Sequence, residues 1–134
     1  MEYMLMPLKR YADFSGRSRR KEYWMFTLGV IIVSVLFSVL LIGTIDPSGG
    51  GIGGISVVSI AILVIFSLAI FIPALAVQVR RFHDQDKSGW FVLLNFLPYI
   101  GGLIVLVMMC LEGTRGPNRF GPDPKGGASA DVFA

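Results

Sequence analysis

Three stretches of the chain carry no charged residue, Tyr23 to Ile45, Pro47 to Val79 and Ser88 to Leu111, and every lysine and arginine lies outside them. At a rise of about 1.5 Å per residue, a helix of roughly twenty apolar residues crosses a hydrocarbon core ~30 Å thick, and each stretch is long enough to do so. The pattern predicts an all-α integral membrane protein with three transmembrane helices, at about 23–45, 55–79 and 88–111. Short polar loops join them. The polar N-terminus, 1–22, contributes an interfacial segment, and 112–134 forms a C-terminal loop and tail. A single membrane domain over 1–134 accounts for the chain.

Boundary signals refine this picture. Ser18 is the expected N-cap of a helix that enters the bilayer at Tyr23 and Trp24. Asp46, Pro47, Ser48 and the glycines from 49 to 54 end the first span in a flexible hairpin loop. Pro73 removes one backbone hydrogen bond and predicts a kink in the second span. The third stretch is interrupted by Pro98-Tyr99-Ile100-Gly101-Gly102. As one helix it would cover ~36 Å, whereas folding at Pro98 leaves two pieces too short to cross. Length favours one span kinked at Pro98, with a re-entrant hairpin as the alternative.

Charge sets the orientation. Of the twelve lysines and arginines, six precede the first span, none lies between the first and second, three lie between the second and third, and three follow the third. Three spans with the N-terminus in the cytoplasm place nine cations inside against three outside, as the positive-inside rule requires. A re-entrant third segment places all twelve inside. The basic run before the first span resembles a secretory signal only superficially: the apolar part is too long and no small-x-small cleavage site follows, so an uncleaved anchor is expected. The hydrophobic content of 54% and mean hydropathy of +0.68 exceed what a soluble domain needs. Cys110 is the only cysteine, so it makes no intrachain disulfide and reads as a small hydrophobe.

The densest polar run is Arg80-Arg81-Phe82-His83-Asp84-Gln85-Asp86-Lys87-Ser88-Gly89-Trp90. His83 titrates near neutral pH and Asp84 could orient it, which makes the pair candidate acid/base residues. The competing structural reading has Asp84 and Asp86 balancing the arginines, Ser88 or Asp86 capping the next helix, and Trp90 anchoring it at the interface. Asp84, Asp86 and Ser88 also imitate the start of a calcium loop, but the twelfth position is Asn95, which lacks the bidentate carboxylate. Neither a metal nor a cofactor is expected.

Arg17, Arg19, Arg20 and Lys21 precede the first span, and Arg80 and Arg81 follow the second, so both clusters reach one membrane face. Arginine grips phosphate with two parallel hydrogen bonds, and each basic residue near an anionic leaflet adds about 1 kcal/mol of attraction. The expected partners are therefore membrane lipids, another membrane protein or a second copy of the chain; nucleic acid would compete for charges needed at the lipid surface. Within the bilayer the polar side chains are limited to Thr27, Thr44, serines such as Ser34, Ser38, Ser59 and Ser67, Gln78 and Asn95. A channel or exporter would have to be an oligomer.

Phe14-x-Gly16-Arg17-x-Arg19-Arg20-x-Glu22-Tyr23-Trp24, Arg80-Arg81-x-His83-Asp84-x-x-x-Ser88-Gly89-Trp90, Pro98 with Gly101, and Gly113-Thr114-x-Gly116-x-Asn118-Arg119-Phe120-Gly121-x-Asp123-Pro124 together resemble one family. It is the domain-of-unknown-function 805 family of small bacterial inner-membrane proteins, matched over roughly residues 10 to 125. The resemblance implies a bacterial cytoplasmic membrane and a multi-pass helical fold, and carries over no activity, cofactor or catalytic residue. Its motifs add Asn118 and Arg119 to the candidate binding residues Arg17, Arg19, Arg20, Arg80, Arg81, Asp84, Ser88 and Trp90. Three full spans would put the loop and tail motifs on opposite faces. The leading expectation is a non-enzymatic protein whose cytosolic basic face binds an anionic lipid headgroup or a partner protein. The alternatives are a membrane-embedded enzyme acting on a lipid phosphate through His83 and Asp84, and an oligomeric channel or exporter.

Overall fold

A computed structural model describes residues 2–45, 47–48 and 53–124. Its elements are α1 (Glu2–Lys9), α2 (Arg20–Gly43), α3 (Gly54–Asp84), a 3-10 helix (Gly89–Phe96) and α4 (Gly101–Cys110). Among the described residues the only β pairing is an isolated bridge between Asn118 and Gly121. The glycine-rich loop expected after the first span and the fraying tail beyond Pro124 lie largely outside the described residues.

α2 and α3, of 24 and 31 residues, are the two described helices long and apolar enough to cross a membrane. Only 6% of the most apolar window of each is buried, the reverse of a soluble core helix. Leu36, Val39, Leu40 and Ile42 on α2, and Ile65 and Leu68 on α3, point outward. Contiguous apolar surface on this scale belongs against lipid. The two helices touch through Phe37 and Phe66, whose rings lie 5.9 Å apart, and through Ser56 Oγ, which donates to the Thr44 carbonyl at 2.9 Å. α3 passes through the buried Pro73 as one continuous helix.

Both long helices extend past their apolar stretches at the same end. α2 begins at Arg20 rather than Tyr23, with Arg19 and not Ser18 at its N-cap. α3 continues through Arg80, Arg81, His83 and Asp84, which the hydropathy pattern assigned to a loop. Polar residues sustain these turns because their side chains find partners there, described below.

The third apolar stretch is not one helix kinked at Pro98. The 3-10 helix has 8 residues and α4 has 10, so each rises only about 15–16 Å, half of what a crossing needs. The break has local causes. Leu97, preceding proline, is extended; Tyr99 is left-handed at φ 66°; and a Cβ on Gly101 would lie 1.8 Å from the Leu94 carbonyl oxygen. Proline, a left-handed residue and a glycine therefore close a tight turn, and length misled because it is silent about turns. α4 then returns to the end of α3 from which the 3-10 helix departed. There Phe82 packs with Val105, Met108 and Met109, flanked by Tyr23, Trp24, Val92 and Leu94.

The N-terminal segment forms a short helix, α1, packed along the long helices. Met4, Leu5 and Leu8 lie along Phe26, Gly29 and Phe66 of the long helices, and the Tyr11 hydroxyl donates to the Ala69 carbonyl at 2.5 Å.

Candidate functional site: a buried arginine clasp

The extended ends of α2 and α3 meet the 10–19 linker and the 112–124 tail in a polar cap whose interior is ionic. Arg80 and Arg81 are fully buried, and Arg17, Glu22 and Asp84 nearly so. Arg81 and Asp84 share one helical face at i,i+3. From the linker, Arg17 donates through Nε to the other Asp84 oxygen at 3.0 Å. Arg80, one position round the helix, faces α2 and donates to Glu22 Oε1 at 3.1 Å and to Ser18 Oγ at 2.9 Å. Ser18 is thus consumed as an acceptor for Arg80 instead of capping α2.

Three buried guanidinium groups face two carboxylates, and backbone carbonyls absorb the surplus. Arg17 reaches the carbonyls of Thr114 and, at 2.7 Å, Gly116. Arg80 donates to the Asp13 carbonyl and Arg81 to that of Leu111. These charge-assisted bonds sew linker, helix ends and tail together. Past Val79, where the apolar part of α3 ends, burial pushes Arg80 and Arg81 below the ordinary arginine value while Glu22 and Asp84 pull them back. Gly113 explains how closely the tail approaches: a Cβ there would lie 1.9 Å from Asp84 Oδ2. The Thr114 amide donates to the Asp84 carbonyl at 2.6 Å.

α4 ends against the same cluster. The carbonyls of its last turn lack helical partners; Gln85 donates to that of Met108, Arg20 to that of Cys110 at 3.0 Å, and Arg81 to that of Leu111. Cationic side chains at the negative end of the helix also satisfy its dipole. These contacts hold the hairpin formed by the 3-10 helix and α4 to the cap.

His83 and Asp84 do not form an acid/base pair. Both Asp84 oxygens are taken by Arg17 and Arg81. His83 Nδ1 lies 3.0 Å from the Gly16 carbonyl, so Nδ1 carries the proton and donates. Its ring stacks on Phe120 at 4.0 Å and an angle of 5°. Burial lowers its pKa from the usual 6.5, the bond to Gly16 raises it, and Arg119 lowers it further. Asn118 donates to the His83 carbonyl at 2.9 Å, and Arg119 pairs with Asp86 at 3.2 Å while lying over Phe120. Asp86 and Ser88 are diverted from any calcium loop, and no cluster of metal-ligating side chains exists among the described residues.

Of the candidate residues, Arg17, Arg80, Arg81 and Asp84 form the clasp. Arg19, Arg20, Asn118 and Arg119 surround it, Arg19 donating to the Pro124 carbonyl. Ser88 only caps the 3-10 helix, and Trp90 stands exposed beside it. Sequence reasoning missed Glu22 as the partner of Arg80, Ser18 as its acceptor, Gln85 as the α4 cap, and Phe120 as the cover of His83. Outside the clasp, Arg20 is about one-third exposed, Arg119 61% and Arg115 92%, and Lys21 is exposed beside Tyr3. Ser38, Ser59 and Ser67 donate to carbonyls one turn back in their own helices.

Residues 11–122 match the family described as protein of unknown function (DUF805). The inner membrane protein YhaI of Escherichia coli (strain K12) is 46% identical over 129 residues, covering 96% of this chain and 100% of its own. The inner membrane protein YhaH of the same strain is 46% identical over 127 residues, covering 93% of this chain and 98% of its own. No solved structure matches the chain.

Proposed function

Since the chain belongs to the DUF805 family of proteins of unknown function, we propose that it is a two-span inner-membrane protein that holds anionic lipid headgroups on a basic cytosolic face, without a catalytic step. Its relatives carry the name inner membrane protein. With the hairpin re-entrant, all twelve lysines and arginines fall on the side of the cap and none in the opposite loop, which favours a cytosolic cap. Both the N-terminal linker and the tail then face the cytosol.

The observation that carries the reading is a division among the arginines. Arg17, Arg80 and Arg81 spend their donors on carboxylates and carbonyls inside the protein and act as scaffold. Arg20, Lys21, Arg115 and Arg119 remain at the rim with exposed cationic groups. Arg20 shares Glu112 with Arg115 in open ion pairs, which contribute little and yield readily to a phosphate.

The test replaces Arg20, Lys21, Arg115 and Arg119 by glutamine and measures the phospholipid that co-purifies. The expected result is a loss of the anionic fraction from a protein that remains folded and membrane-inserted. Unchanged anionic lipid would refute the headgroup reading.

A further inference from the structure

A groove of about 390 Å³ runs along α2, α3 and the 3-10 helix just inside the cap, a volume in the range of small-ligand sites. Its lining is graded. Tyr23 and Thr27 of α2, Gln78 of α3 and Asn95 of the 3-10 helix all lie toward the cap, while Ile31 and Phe71 close the deep end. Asn95 Nδ2 donates to Gln78 Oε1 at 2.6 Å, and the amide nitrogen carries a second N–H. An amide N–H at the edge of hydrocarbon is costly to leave without an acceptor.

From Tyr23 to Ile31 the groove extends ~12 Å along α2 at ~1.5 Å per residue, most of one leaflet's half of the ~30 Å core. Arg20 stands one helical turn above Tyr23, on the same stripe as Thr27 and Ile31, and is partly exposed. Read from the cap inward, the wall therefore presents a cation, then hydrogen-bonding side chains, then hydrocarbon. A glycerophospholipid presents phosphate, then ester groups, then an acyl chain, in the same order.

We propose that this groove is a binding site for one acyl chain of an anionic glycerophospholipid, with its glycerol-ester region at Asn95, Gln78 and Tyr23 and its phosphate at Arg20. This deepens the headgroup reading and rests on it for the phosphate. The ester carbonyls of the glycerol region accept from the second N–H of the Asn95 amide, which a simple hydrocarbon cannot do. The membrane itself is the source of the ligand.

The test uses the full chain reconstituted in bilayer discs holding equal phosphatidylglycerol and phosphatidylcholine, with retained lipid counted by native mass spectrometry after mild detergent release. Ala74→Phe fills the groove, and Asn95→Leu removes its polar wall at an exposed position that folding tolerates. The expected result is retained phosphatidylglycerol in excess over phosphatidylcholine, abolished by Ala74→Phe and reduced about fivefold by Asn95→Leu, the loss of one hydrogen bond. If the four rim substitutions remove phosphatidylglycerol while both groove variants keep it, the headgroup reading stands and the groove proposal falls. If the groove variants remove both lipids equally, the anionic assignment is overturned. A dimer without lipid, dispersed by Ala74→Phe, would show that a second copy fills the groove and would overturn the proposal.

Discussion

The two ends of the long helices invert the usual arrangement of a protein. At the cap the interior is ionic, with Arg80, Arg81, Arg17, Glu22 and Asp84 sealed from solvent; away from it, leucines and isoleucines form the surface. The solvent explains the contrast. In lipid an outward leucine costs nothing, and helix association gains nothing from hiding it. At the membrane boundary, where water competes, the chain must hold linker, hairpin and tail by directed bonds instead. Specificity of the fold therefore resides in the cap, and the spans chiefly supply anchorage.

Removing a charge from the cap is the strongest way to break this contrast. Asp84→Ala leaves Arg17 and Arg81 buried without a carboxylate, and is expected to cost about 3–5 kcal/mol, read as a large loss of thermal stability in detergent. Gly113→Ala drives a methyl group into Asp84 and is expected to cost about 1–3 kcal/mol by the same measurement. The opposite limit is Leu36→Ala on the lipid-facing side of α2, where a change within about 0.5 kcal/mol is expected. A large effect there would mean that the spans, not the cap, carry the fold.

The smallest cap effect expected is pH-dependent. His83 has a folded pKa below its usual 6.5, chiefly through burial, so the unfolded chain binds the proton more tightly. Its contribution is present above pH 6.5 and is lost as pH falls from there through the lower folded value. Thermal stability between pH 7.5 and 5.5 should decline in the natural protein, and the His83→Gln variant should lose that part of the slope. An identical slope in the variant would show that His83 is as free to protonate folded as unfolded.

The two spans were legible because an uncharged run of sufficient length has few other uses. The break in the third run was visible as Pro98 and Gly101, but a length criterion treats proline as a kink and gives no weight to the left-handed Tyr99 or to the approach of Gly101 to Leu94. The grouping of Arg17 with Arg80 and Arg81 was legible from antiparallel helices. Their burial was not, because it depends on pairings across distant parts of the chain, Arg80 with Glu22 and Arg17 with the Gly116 carbonyl. Proximity in sequence also suggested a His83–Asp84 pair, yet neighbours on a helix point about 100° apart. Asp84 looks toward the arginines and His83 toward Phe120.

The third apolar run turns back at Pro98, and the tail thereby reaches Arg17 and Asp84. Paired reporter fusions at the C-terminus, one active only in the cytosol and the other only in the periplasm, test it most directly. Activity is expected from the cytosolic reporter alone, on the same side as the N-terminal linker. Activity from the periplasmic reporter alone would mean that the run crosses the membrane, and would contradict the clasp.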